Sequence, residues 1–317
     1  MGRSRWRNRS AGPPHAKGKA NATKPTTAPV EVEITAHCPG MSRPGIDGAV
    51  TVALFDLDAL LREMREGIDY PNQSLDGESA VKRYLVYLSM LVDVTLTDIV
   101  MSAVHDNDYA VLMKARMLVE YASKAGYSDA HPEYALWFTT IYEAESVLKK
   151  LRNGGAPPEV VAEAEAELAR RKEKFSGVLS TTRVPLSEMM REQTRGGDRS
   201  RNDEYVWLFG GPSALMHGDP EGMRQLMPVD EEGHQHPTLK LDDDYLNALL
   251  VDAGSNALFF CDIFISRFHP SDERLQVRLR ALDRRFKELS LKHSRGRDEE
   301  VLNTIRRELG EAHGGSP

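Results

Sequence analysis

The sequence predicts a mainly α protein: a multi-helix bundle of about seven to nine helices, with a disordered basic N-terminal tail and at most a small β-hairpin. Three observations carry that expectation. From Ser79 onward, apolar residues recur at the three- and four-residue spacing that lines one face of a helix. The breaks between such runs hold residues that start or stop helices, among them Asn107, Asp108, Gly154, Gly155, Asp242 and Pro270. Residues 1–47 are rich in Arg, Lys, Pro, Gly, Ala and Thr, a composition that buries too little apolar surface to offset the entropy of ordering.

A chain of 317 residues is long enough for one large domain or two small ones. Its 40% hydrophobic and 28% charged residues are those of an ordinary soluble globular protein. The formal net charge of −7 removes any global pull toward nucleic acid. The first thirty residues nevertheless carry seven Lys or Arg and no acid. The expected division is a tail over 1–47, a helical bundle domain over 48–270, and charged C-terminal helices over 271–317. In the tail, Arg3, Arg5, Arg7 and Arg9 surround Trp6, a pattern able to contact nucleic acid by phosphate binding and base stacking. A solvated leader is the plainer reading of the same residues.

The two cysteines, Cys38 and Cys261, form no CxxC pair, which argues against a disulfide framework or a cysteine-based zinc site. No apolar signal-peptide segment occupies residues 10–29. Tyr84–Val104 is long enough to span a bilayer but contains Asp93 and Asp98, so it reads as a core helix. A cytoplasmic protein without a membrane partner is the expectation.

Taken in order, Val30–Thr35 alternates with period two and predicts a short edge strand. Residues 79–104 are apolar nearly all round and predict a long central helix. The break at 105–108 offers Asn107 or Asp108 as the cap of a helix over Tyr109–Lys124, which Gly126 is expected to stop. Pro132 opens the next run, Tyr134–Leu151, with Leu136, Trp137, Ile141, Ala144 and Leu148 at helical spacing. After a turn at 153–158, Glu159–Phe175 places acids first and bases last, which complements the helix dipole. Residues 192–202 read as a basic loop and 225–241 as a hairpin around an acidic turn. Tyr245–Phe268 is an apolar helix capped by the acids 242–244 and ended by Pro270. Leu275, Leu279, Leu282, Phe286 and Leu289 repeat in a 4-3-4-3 rhythm that suits packing against a neighbour or a second copy. Residues 271–289 are therefore the expected surface for a protein partner or homodimer. Asp298–His313 is a polar last helix.

Two stretches concentrate polar groups inside apolar runs. In Ala110–Ala122, Arg116 and Glu120 stand four apart and so share a helix face. In Tyr205–Gly218, the glycines 210–211 and Pro212 interrupt a helical run, and Ser213 and His217 then stand four apart before Gly218. A buried charge without a partner costs several kcal/mol, roughly. Arg116, Glu120, Ser213 and His217 are therefore expected to converge in one polar pocket between core helices. That pocket either fixes helix register or carries chemistry, and it implies no cofactor and no metal.

Asp56 and Asp58, in Ala49–Leu61, resemble the Asp-x-Asp of haloacid-dehalogenase-type phosphohydrolases, where the first carboxylate is the nucleophile and the second the general acid or base. Ala59 and Leu60 replace the Gly-Thr of that family, and the same acids can simply cap a helix. His234 and His236 beside Glu231 and Glu232 are metal-ligand types without a fixed ligand spacing. The order of apolar helix, Arg116-x-x-x-Glu120, spacer helices, Tyr205, Ser213-x-x-x-His217-Gly218 and a returning apolar helix resembles an uncharacterised bacterial helical family, domain of unknown function 5677, over roughly residues 80–268. That resemblance implies an all-α bundle without an assigned activity. A binding or interaction module, with stress or phage defence as its setting, is the reading. The alternative is a HEPN-like, metal-independent ribonuclease using Arg116 and His217, because the correctly spaced Arg307 and His313 lie on a polar helix. The Asp56/Asp58 phosphohydrolase is third.

Overall fold

The computed structural model of the chain describes residues 43–68, 77–176, 184–194, 233–234, 241–294 and 299–314. The chain divides into two units, Met1–Gly40 and Met41–Pro317, and every described residue belongs to the second. Asp47 caps Gly48–Arg65 (α1) by accepting the Ala49 N–H at 3.0 Å. Gly77–Val104 (α2) and Asp108–Ala130 (α3) form a hairpin whose second helix is capped by Asn107, which accepts the Ala110 N–H at 3.1 Å. Pro132–Trp137 (α4) runs through a π turn at Phe138–Tyr142 into Glu143–Asn153 (α5). Pro158–Lys174 (α6) and Leu186–Thr194 (α7) follow. Asp242 caps Asp243–Phe268 (α8), and Asp272 caps Glu273–Lys292 (α9). Glu299–Gly314 (α10) closes the series. Among the described residues there is no strand, so the structure is an all-α bundle.

The helix directions follow from contacts at both ends. Leu241, just before α8, donates its N–H to Asp108 at the start of α3, while Arg267 near the end of α8 pairs with Asp129 near the end of α3. α3 and α8 are therefore parallel. α1 runs the same way, since Asn247 of α8 accepts the Asp47 N–H and His269 reaches the Met64 carbonyl. α9 runs back along α1, with Lys292 on Asp47, Arg285 on Asp56 and Arg278 on Glu63. α9, which opens the expected C-terminal segment, thus shares the core of the bundle.

Four expectations change. The central helix is α8 rather than α2: α8 is buried on nearly every face, whereas the outer face of α2 is open. Gly126 does not stop α3, which continues to Ala130. A single glycine costs about 1 kcal/mol inside a helix, and burial of Ala125, Tyr127 and Ser128 offsets it. The region before Gly196 is helical up to Thr194, because Met189 and Met190 bury their side chains in the core. The expected continuous helix from Tyr134 is interrupted by one π turn. Residues 1–42 of the expected tail, the edge strand at Val30–Thr35, and the hairpin (apart from Gly233, His234 and Leu241) lie outside the described residues, whereas residues 43–47 belong to the bundle, with Arg43 buried against Asp108 and Asp47 capping α1.

Candidate functional site: the polar residues of α3 and α8 and the open face of α2

α3 presents Arg116 and Glu120 half-buried on adjacent turns. Glu120 takes a third group rather than its neighbour: its carboxylate accepts from Lys124 Nζ at 2.5 Å. Arg116 is engaged in an interaction of its own. The Glu120 charge also reaches an aromatic wall. Burial first, and Glu120 after it, push the Tyr121 hydroxyl above its ordinary range. Tyr134 is pushed up to about 12 by burial, with Glu120 adding to the shift. These phenols therefore keep their protons and act as donors. Ser213 and His217, with Tyr205 and Gly218, lie outside the described residues, so the α3 half of the expected pocket is the half on view.

Beside that half, the fold adds polar residues that periodicity does not single out. Ser123, seven residues after Arg116, is fully buried, and Asp252 and Asn256 of α8 are each 3% exposed. Two anchors set the level of these groups. Arg116 lies about 20 Å before Asp129 along α3, and Asp252 about 22 Å before Arg267 along α8, at 1.5 Å rise per residue. The Asp129–Arg267 pair is 2.5 Å long, so the two levels coincide to within roughly a turn. Asn256 precedes Arg267 by three turns and shares its α3-facing side. Arg116 and Ser123 of α3 and Asp252 and Asn256 of α8 thus lie at comparable levels of two parallel helices, as polar groups within otherwise apolar segments. Arg116, Ser123 and Asp252 are all engaged. Asp252 and Asn256 are the residues that sequence reasoning misses. The available signal is a carboxylate and an amide four apart inside one of the most apolar runs of the chain, the same signal that marks Arg116 and Glu120.

The second feature is apolar. On α2, Tyr87, Met90, Val94 and Met101 are 45%, 42%, 59% and 41% exposed. With the exposed Thr97 they follow a 3-4-3-4 spacing and form one continuous row. Beside Tyr87 stands Phe138 of the π turn, with ring centroids 6.4 Å apart, and Phe138 stacks on the exposed Tyr142 at 4.9 Å.

The remaining expectations are placed as follows. Asp56 and Asp58 lie within α1, not at the end of a strand. Asp56 pairs with Arg285 at 2.7 Å and Asp58 with Arg62 at 2.6 Å. The heptad row of α9 is used inside the chain, since Leu275, Leu282, Phe286 and Leu289 are buried in the common core against α1 and α8. His234 is exposed, Arg307 is exposed on α10, and His236 lies outside the described residues. Among the described residues, no cluster of three or more His, Cys, Asp or Glu side chains is placed to hold a metal ion. Comparison of the chain with known protein families, curated proteins and solved structures gives no match.

Proposed function

We propose that the protein is a helical binding module that offers the open face of α2 to an apolar helix of a partner protein. The observation that carries this reading is the row of Tyr87, Met90, Val94 and Met101. Its spacing is that of a helix–helix seam, and it runs for about 21 Å, the length of two heptads. Fully burying side chains of this kind stabilises a complex by roughly 1.5–3 kcal/mol each, before the cost of association. The π-turn aromatics supply a wall along one edge of the row. The similarity to domain of unknown function 5677 is the family placement we propose, and a bacterial cytoplasm the setting. The near-complete burial of α8 supports reading it as a core helix rather than a membrane span.

The test uses the full chain and its Val94→Glu variant, with thermal unfolding as the check that both fold. Recovery of one stoichiometric partner by the parent chain, lost in Val94→Glu at unchanged stability, supports the reading. A concentration-dependent dimer lost in the same variant assigns the face to a second copy instead. An equal partner yield from both chains refutes it.

A second reading rests on the half-buried, engaged Arg116 of α3: a metal-independent ribonuclease using Arg116 and His217. RNA cleavage that persists in EDTA and disappears in both Arg116→Ala and His217→Ala would establish it. Absence of cleavage across varied RNAs would remove it.

A further inference from the structure

Asp58 of α1 and Asp93 of α2 each leave one carboxylate oxygen, Oδ1 in both cases, buried and without a hydrogen-bond donor. Their other oxygens are taken. Arg62 holds Asp58 Oδ2 at 2.6 Å, and Arg65 holds Asp93 Oδ2 at 2.5 Å. Asp58, Arg62 and Arg65 follow one another at four and three residues, so they share a face of α1. The Arg65–Asp93 bond turns that face toward α2, and the two carboxyl groups come within hydrogen-bonding reach. Ionised carboxylates only accept, so the two bare oxygens cannot satisfy each other. One proton between them satisfies both.

We propose that Asp58 and Asp93 share a proton, which makes the α1–α2 contact a proton-binding site whose hold on the two helices tightens as pH falls. The proton belongs with Asp58. Burial, above all, raises its carboxyl, and the Asp93 charge adds to this, while Arg62 and Arg65 oppose it without cancelling it. The other helices packed on α1 use different faces. From α9, Arg274 and Arg278 meet Glu63 and Arg285 meets Asp56, while α8 meets α1 through Asn247 and His269. The sign follows from linkage. A carboxyl raised in the folded state contributes stability that is fully present below its unfolded value and is lost as pH rises through its folded value. At neutral pH the pair is therefore a strained contact of like charges held by two arginines.

The test is the pH dependence of the urea midpoint of the full chain, compared with Asp58→Asn and Asp93→Asn. An amide at position 58 donates to Asp93 without needing a proton. D58N is therefore expected to exceed the parent chain in midpoint near pH 7, and the difference between them is expected to shrink toward about pH 4. D93N removes the same coupling and is expected to flatten the same part of the profile, whatever its absolute stability. A D58N chain that is less stable than the parent at neutral pH, or does not fold, overturns the proposal. Profiles that run parallel in all three chains overturn it as well.

Discussion

Arg43 and Asp108 form an ion pair sealed inside the bundle, 6% and 1% exposed, with Arg43 Nη2 3.3 Å from Asp108 Oδ2. The same Oδ2 accepts the Leu241 N–H at 2.7 Å, so one carboxylate ties together the entries to α1, α3 and α8. Asp108→Asn keeps a group to meet Leu241 but leaves a buried guanidinium without its counter-charge. It is expected to lower the unfolding free energy by about 3–5 kcal/mol. Asp106, which pairs with the same arginine at 2.8 Å from the surface, is the control. Asp106→Asn, which removes the charge but keeps a side chain that tolerates the positive φ of this turn, is expected to change it by less than about 1 kcal/mol. Urea midpoints of the two variants check both statements.

Gly254 is the point where α8 lets α9 approach. A methyl group on its Cα would overlap the edge of the Phe286 ring and crowd Leu54. Gly254→Ala is expected to destabilise by about 1–3 kcal/mol, as overpacking does. Phe286→Leu alone should also destabilise, but in the double variant the two losses should add to less than their sum. Additive losses would show that the ring and the glycine are not in contact.

Asp47 gives the fold an acid-sensitive contact at the C-terminal end of α9. Burial works to raise its carboxyl, but the hydrogen bonds from Lys292, His293 and the Ala49 N–H outweigh burial and bring it from 3.8 to about 2. A depressed carboxyl contributes stability that is present above its unfolded value and lost as pH falls through its folded value. The window is therefore between about 4 and 2. In Asp47→Asn the acid limb of the stability profile should be shallower there, while Lys292→Ala should shift it only in part. Acid unfolding followed by circular dichroism reads both.

Cys261 lies fully buried in α8, and burial pushes its thiol far above the ordinary range. The native protein should therefore leave this sulfur unalkylated at neutral pH, because the thiolate is the reactive form. Labelling should appear only as urea opens the core, with a midpoint matching global unfolding. Rapid modification of the Cys261 peptide in native buffer, read by mass spectrometry, would contradict the packing of α8.

Much of this architecture is legible in the residues. Asn107 and Asp242 announce the starts of α3 and α8 because a side-chain oxygen before an apolar run has a specific task, to satisfy a free N–H. The rhythm of Leu275, Leu282, Phe286 and Leu289 marks the inner face of α9 for the same kind of reason. Gly126 misleads because a local preference of about 1 kcal/mol yields to the burial of neighbouring residues. The open row on α2 is hidden by composition. An all-apolar helix reads as central, and only packing decides which of its faces lacks a neighbour. Arg116 and Glu120 stand out from an apolar run, yet the parallel alignment of α3 with α8, which carries the buried Asp252 and Asn256, joins two helices far apart in sequence. The same holds for Asp58 and Asp93, whose meeting is a property of docking rather than of either segment.

The parallel course of α3 and α8 carries a kinetic consequence. Two helices that run side by side in one direction cannot be joined by a tight turn, and here the whole stretch from His131 to Asp242 separates them. Local hairpins such as α2–α3 and α8–α9 can close early, because little chain entropy is lost in bringing their partners together. Docking of α3 against α8 must wait for a very long loop to close, and contacts of such high sequence separation slow folding. Every described secondary-structure element is helical, yet the slow step of folding should resemble that of a sheet protein. The Arg267–Asp129 pair that joins the ends of α3 and α8 would then be among the last features of the native structure to form.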